Sequence, residues 1–182
     1  MASAGSATQP GANVEVKVRC ADLEAARAAA LRLGARPAVI EAQVDTYFAT
    51  RTGRLKLREI DGARAELIPY LRTDHAGARR SDYRVVPVPD GAGTRRLLSE
   101  LLGVHRVVRK RREVLLWRNV RIHLDRVDDL GTFLELEAVF DGSAESEPAQ
   151  REACAWLLRE LGLAAEPCIA GSYESLLGSD SI

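Results

Sequence analysis

Glu15, Lys17 and Arg19 stand at every second position of Asn13-Val14-Glu15-Val16-Lys17-Val18-Arg19, with valines between them. A strand sends alternate side chains to opposite faces, so the charges share one face and the valines the other. The pattern returns in Arg54-Leu55-Lys56-Leu57-Arg58, in Arg121-Ile122-His123-Leu124-Asp125 and in Phe133-Leu134-Glu135-Leu136-Glu137. One such strand would more often turn its charges to water. Several of them, each offering charges backed by an aliphatic face, suit a sheet closed around a polar interior. In such an interior cations hold an anion and carboxylates hold a metal.

By strand parity the inward cations are Lys17, Arg19, Arg54, Lys56, Arg58, Arg72, Lys110, Arg112 and Arg121, and the inward acids are Glu15, Glu66, Asp125, Glu135 and Glu137. Like charges a few ångströms apart repel by ~1 to 4 kcal/mol even when screened, so this surplus of cations calls for a bound anion. Phosphate fits best, because arginine forks match its oxygens and lysine supplies a point charge. The acids, with no thiol among them and only His123 close by, are hard oxygen ligands suited to Mg²⁺ or Mn²⁺ rather than zinc. A metal bridging phosphate oxygens would stabilise the charge of phosphoryl transfer. Together these residues describe a site for a metal-complexed triphosphate. His123 is expected as a hydrogen-bonding group of the interior wall.

The elements that must carry these residues follow from caps and turns. Asp22 caps a helix from about Leu23 to Leu33, with Gly34 as its stop and Leu23, Ala26, Ala30 and Leu33 for packing on a sheet. Strands are expected at Val39 to Ala49, Arg54 to Ile60, Ala65 to Arg72, Ser81 to Val88, Val104 to Trp117, Val120 to Val127 and Thr132 to Phe140, after the opening strand at residue 13. Asp61-Gly62 is a strong hairpin signal, and Pro69 requires an edge or a bulge. A short helix is expected at Asp90 to Leu102, a longer one from Pro148 to near Gly162, and a last turn at Tyr173 to Leu177. The polar stretch Thr73 to Arg80 reads as a lid that brings Arg79 or Arg80 onto substrate. The fold class is α+β: an antiparallel β-barrel of about eight strands, closed or nearly closed, with flanking helices.

The 182 residues balance 26 basic against 26 acidic side chains, so no global field draws nucleic acid or anionic membrane. Arg109 to Arg112 alone resembles a nucleic-acid patch, but few aromatics accompany it. Cys20, Cys154 and Cys168 form no CxxC pair and read as reduced thiols. No apolar run reaches the ~20 residues of a membrane span. Residues 1–12 read as a disordered tail without the features of a secretory signal, and 13–178 as one domain in the cytoplasm.

These pieces resemble, in order, the CYTH superfamily of triphosphate tunnel metalloenzymes, and within it the subgroup similar to class IV adenylate cyclase. The matching segments are Asn13-Val-Glu-Val-Lys17, Gln43-Val-Asp-Thr-Tyr-Phe48, Gly53-Arg-Leu-Lys-Leu-Arg-Glu59 and Ala65-Glu-Leu-Ile with Arg72. They continue in Ser81-Asp-Tyr83, Arg109-Lys-Arg-Arg112, Arg121-Ile-His-Leu-Asp125, Leu130 to Glu137, and Ser172-Tyr173 with Leu176-Leu177. The resemblance implies an eight-stranded tunnel open at both ends with a triphosphate along it. It implies metal binding by Glu15, Glu135, Glu137 and Asp125. Phosphate binding falls to Lys17, Lys56, Arg58, Arg72, Lys110, Arg112 and Arg121, joined by Arg19 on strand parity. Lys17 and Glu15 become the catalytic candidates. One position departs from the pattern: the first Glu of the superfamily's opening ExExK motif is Asn13, which offers an amide oxygen but no charge.

The first expectation is a Mg²⁺- or Mn²⁺-dependent hydrolase of inorganic triphosphate or a nucleoside triphosphate. The alternatives are a class IV type cyclase making cyclic AMP and pyrophosphate from ATP, and a noncatalytic triphosphate sensor. The expected partner is a small triphosphate, with neither nucleic acid nor membrane, and a homodimer is compatible with the fold.

Overall fold

The computed structural model describes residues 11–70, 79–141, 143 and 146–178. The elements in chain order are β1 (Gly11–Arg19), α1 (Leu23–Arg32), β2 (Arg36–Phe48), β3 (Arg54–Ile60), β4 (Arg64–Tyr70), β5 (Arg79–Tyr83), β6 (Val86–Val88), α2 (Gly91–Leu102), β7 (Val104–Trp117), β8 (Val120–Val127), β9 (Gly131–Phe140), α3 (Glu147–Glu160) and α4 (Tyr173–Leu176). All strand pairs are antiparallel, in one nine-stranded sheet of order β5-β1-β9-β8-β7-β2-β3-β4-β6.

Local signals set many of these bounds. Asp22 accepts the Ala25 N–H at 2.9 Å and starts α1. Asp90 does the same for α2 through the Gly93 N–H at 2.8 Å. The β3–β4 turn places both Asp61 (φ 52°) and Gly62 (φ 66°) in the left-handed region, the requirement of a type I′ hairpin. Pro69 sits opposite Leu55, beyond the Ala65–Leu67 stretch that pairs with β6, so no ladder bond is lost at its missing N–H.

Several features differ from expectation, among them the start of β2 at Arg36 instead of Val39. β1 begins at Gly11, where Phe140, Tyr83 and their neighbours complete its ladders. Ser81 to Val88 is not one strand but two, β5 on β1 and β6 on β4. Prolines at 87 and 89 cannot donate to a ladder, and the chain bends at Arg84-Val85 to cross from one sheet edge to the other. The curled sheet is thereby joined across its two edges by the chain itself, with no β5–β6 or β4–β5 ladder among the described pairings. This raises the strand count to nine. The expected loop from Thr73 lies outside the described residues up to position 78, and Arg79 and Arg80 belong to β5.

Burial follows the alternation. Val14, Val16 and Val18 of β1, Leu115 of β7, Ile122 of β8 and Leu134 and Leu136 of β9 face outward onto α1 and α3 and form the main core with Ala26, Ala30, Cys154 and Leu157. Trp117 stacks on Trp156 with ring centroids 5.1 Å apart. Leu157 is fully buried there, and its truncation to Ala would cost about 2 to 5 kcal/mol. A smaller cluster, Tyr47, Val108, Val127, Phe133 and Tyr173 with Ile169, Leu176 and Leu177, fills one end of the sheet's hollow. The resemblance implied a tunnel open at both ends. Here the C-terminal segment packs into one of them, because α4 carries Tyr173 and Leu176 toward apolar partners. No helix among the described residues is long and apolar enough to cross a membrane.

Candidate active site

The opposite faces of the same strands enclose a cavity of about 570 Å³. Its walls carry Glu15 and Lys17 from β1, Asp45 from β2, Arg54, Lys56 and Arg58 from β3, Lys110 and Arg112 from β7, Arg121 and His123 from β8, and Glu135 and Glu137 from β9. Strand pairing sets their order, with Lys17 opposite Glu135 and Glu135 opposite His123, then Glu15 opposite Glu137 and Glu137 opposite Arg121. Parity therefore brought most of the expected residues into one space.

One wall is organised by Asp45, only 2 % exposed. Its Oδ2 accepts from Lys56 Nζ at 2.9 Å and Lys110 Nζ at 3.0 Å, while Arg58 Nε donates to Oδ1 at 2.8 Å. Burial alone would raise the Asp45 pKa, but Arg58, Lys110 and Lys56 outweigh it and hold the carboxyl well below its ordinary range. The lysines show the reverse balance. Burial and the neighbouring guanidiniums lower Lys56 to about 8 and Lys110 to about 7, against the pull of Asp45. One carboxylate thus serves three cations, and the surplus of positive charge suits an anion.

The facing wall carries acids. Glu135 Oε2 is 3.0 Å from Lys17 Nζ, and its Oε1 is 3.1 Å from His123 Nδ1 and 3.2 Å from Arg112 Nη2. Burial opposes its ionisation, but Lys17 and Arg112 overcome that and keep it well below the usual glutamate value. Glu137 accepts from Asn13 Nδ2 and from Arg121 Nη1, the latter at 3.1 Å. Against burial, His123 and Arg121 likewise lower its pKa. Asn13 itself is 2 % exposed, and its Oδ1 has no hydrogen-bond partner among the described residues.

Several expected residues take other places. Asp125, expected among the metal ligands, is fully buried behind the cavity wall. Arg112 donates to its two oxygens at 2.7 and 2.6 Å, and the Tyr173 hydroxyl adds 2.7 Å to Oδ2. Its lone pairs are committed, so it positions Arg112 rather than facing a ligand. Arg19, expected to hold phosphate, is exposed and donates to the Leu130 carbonyl at 3.1 Å, with its guanidinium 5.1 Å from the Phe133 ring centroid. The Phe133–Tyr173 plug separates it from the cavity. Arg72 lies outside the described residues.

Two contributors were missed. Asp45 stood in a quoted segment without a role, although Glu41, Gln43, Asp45 and Tyr47 alternate with Ala42, Val44 and Thr46 as plainly as the other strands do. Tyr173 closes the cavity floor with its ring 4.1 Å from Lys17 Nζ and 5.7 Å from Lys110 Nζ. No periodicity points to it, since α4 is a single turn.

The donor set fits a divalent ion. Glu15, Glu135 and Glu137 would offer hard carboxylate oxygens, Asn13 Oδ1 would offer a fourth, and among the described residues no cysteine lines the cavity. Among the described residues no three His, Cys, Asp or Glu side chains gather closely enough to hold an ion unaided. Glu135 and Glu137 would hold it together with phosphate oxygens, the usual habit of Mg²⁺.

Residues 11–173 match the CYTH domain, and the chain belongs to that family. The PH1012 protein of Pyrococcus horikoshii is 29% identical, with 90% of this chain and 98% of that chain covered and a TM-score of 0.77. A candidate adenylate cyclase of Vibrio parahaemolyticus shares the fold at 19% identity, covering 94% and 100% with a TM-score of 0.79. The Hippeastrum protein HpAC1, described as having a dominant triphosphatase activity, shares it at 14% identity, covering 94% and 97% with a TM-score of 0.67. No curated protein matches the chain.

Proposed function

We propose that the protein is a divalent-metal-dependent phosphohydrolase of a triphosphate compound. The observation that carries this reading is the pairing of a cationic wall, Lys56, Arg58 and Lys110 around Asp45, with the Glu135–Glu137 acidic wall across one cavity. Asp45 and Asp125 hold the cations in place before substrate arrives, so little reorganisation is needed when the phosphates bind. Lys56, Arg58, Lys110 and Arg112 hold the phosphate oxygens, with Arg121 at the mouth. Glu135 and Glu137 would hold the ion, whose charge would offset that of the phosphoryl oxygens. Lys17, fixed between Glu135 and the Tyr173 ring, donates to a phosphoryl oxygen or the attacking water, and Glu15 takes the water's proton. The new bond joins water oxygen to phosphorus, and the bridging phosphoanhydride bond breaks.

The triphosphatase activity described for HpAC1 is in keeping with hydrolysis. The likeness to the Vibrio protein favours a second reading, cyclisation of ATP with pyrophosphate as the leaving group. One reaction separates them: the purified protein with Mg²⁺ or Mn²⁺ and ATP or inorganic triphosphate, all products resolved by chromatography. Free phosphate supports hydrolysis and cyclic AMP supports the cyclase. Absence of turnover with either metal overturns both.

A further inference from the structure

The basic run Arg109-Lys110-Arg111-Arg112 is divided by the strand that carries it. Lys110 and Arg112 face the cavity, and alternation sends Arg109 and Arg111 to the outer face of β7, where both are exposed. Arg111 stands directly opposite Arg126 of β8 in the ladder, and like charges so placed repel. The acids nearby do little to offset them. Glu113 Oε1 is engaged by Arg27 Nε at 2.8 Å. Glu24 reaches Arg126 only at 3.4 Å, with both side chains more than half exposed, so that pair is weak. Arg111 itself has no hydrogen bond or ion pair among the described residues.

Arg111 and Arg126 border a second hollow, of about 470 Å³, that shares no residue with the first. It lies on the outer side of the sheet, beside the start of α1. Leu23 and Leu124 are buried in it, while Ile40 of β2 is 52% exposed at its rim. The ladders explain the arrangement. Ile40, Glu113 and Leu124 form one cross-strand row, and Ala42, Arg111 and Arg126 form the next on the same face. Two residues along a strand is ~7 Å, so basic and aliphatic positions lie side by side.

Two guanidiniums short of counter-charge, next to open aliphatic surface, suit a ligand with an acid group on an apolar body. A carboxylate matches the fork of an arginine, and its chain would cover Ile40. The volume falls within the ~300 to 1,000 Å³ of sites that enclose small organic ligands. A polyanion is a poorer match, because Glu24 and Glu113 flank the arginines and repel an extended run of negative charge. We infer that this outer hollow binds a small organic monoanion, a carboxylate on an aliphatic or aromatic body, held by Arg111 and Arg126 with its body on Ile40, Leu23 and Leu124. The site is separate from the one proposed for phosphoryl transfer, and the inference does not depend on the triphosphate reading.

The probe is decanoate below its micelle concentration, titrated into the full chain by isothermal calorimetry. Acetate, which lacks the body, and decanol, which lacks the charge, are the controls. Decanoate should bind at one site, at least about tenfold tighter than either control, and tripolyphosphate in excess should not displace it. Arg111→Gln should weaken decanoate about tenfold or more, the loss of one charge-assisted contact. Ile40→Thr should weaken it at least about fourfold, the scale of one buried methylene. Both positions are exposed, so both variants should keep the native melting temperature and bind tripolyphosphate within about twofold of the native protein. No measurable decanoate binding, decanol bound as tightly as decanoate, or either variant leaving decanoate unchanged would overturn the inference. Displacement of decanoate by tripolyphosphate would also overturn it, by moving the probe to the inner cavity, and would leave the triphosphate reading standing.

Discussion

The two charged walls of the cavity solve the same problem in opposite ways. On β2, β3 and β7 a single buried carboxylate, Asp45, answers three cations, and the balance stays positive. On the facing side the two acids of β9 already have their own company: Lys17, His123 and Arg112 at Glu135, and Asn13 and Arg121 at Glu137. The first wall is preset for an incoming anion. The second is nearly neutral, so a divalent ion must compete with resident donors and gains most when phosphate arrives with it. The contrast implies that phosphate can enter without metal, while metal depends on phosphate.

The largest expected effect comes from removing the centre of the cationic wall. Asp45→Ala strands Lys56, Arg58 and Lys110 without their counter-charge, and breaking a buried ion pair typically costs about 3 to 5 kcal/mol. Urea unfolding should show that loss, and added tripolyphosphate should recover part of it by binding the folded state. Undiminished stability would mean Asp45 is not the hub.

Next in size, Lys110→Met removes one charge-assisted contact to phosphate, worth about 1.5 to 3 kcal/mol, or roughly 10- to 100-fold in triphosphate affinity. Mn²⁺ affinity measured at saturating triphosphate should stay within about twofold, since Lys110 touches no acid of the facing wall. A comparable loss in both would dissolve the distinction between the walls.

Glu137→Gln addresses the acidic side. It keeps the amide oxygen for Asn13 but removes a charge, and Mn²⁺ binding by electron paramagnetic resonance should weaken about tenfold in the presence of triphosphate. Binding of metal-free triphosphate should hold or tighten. Mn²⁺ alone should bind poorly to the native protein; tight binding without phosphate would contradict the dependence of metal on anion.

The smallest effect is in protons. Burial lowers Lys110 to about 7 and Lys56 to about 8, so the free protein loses these protons as pH rises through that range. An anion favours the charged forms, and its binding at pH 8 should take up about one proton, read from calorimetry in buffers of different ionisation enthalpy. Affinity should fall as pH rises above 7. For folding the sign is opposite: unfolded lysines keep their protons to about 10.5, so the unfolded state binds more protons between about 7 and 10.5, and these two groups favour the fold increasingly with pH in that window. Release of protons on binding would show that Lys110 and Lys56 are not the anion's partners.

Much of this arrangement can be read from local pattern. The strict alternation of Arg54 to Ile60, Val120 to Val127 and Gly131 to Phe140 assigns each side chain to a face, and caps such as Asp22 and turns such as Asp61-Gly62 fix where the elements begin and end. That is enough to place Lys17, Lys56, Arg58, Lys110, Arg112, Glu135 and Glu137 in one interior, because parity is a property of the strand alone. What parity does not contain is contact across the hollow. Asp125 obeys the alternation and still does not line the cavity, since Arg112 and Tyr173 take up its oxygens. Arg19 obeys it too, yet the Phe133–Tyr173 plug leaves it outside. The bulge at Ala38, the split of residues 79–88 onto two sheet edges, and the gathering of three cations on Asp45 depend on which strands meet. The face of each charge is decided within a few residues of chain. Its partner is decided by packing between strands as far apart in sequence as β2 and β7, where burial makes one nearby opposite charge outweigh any local preference.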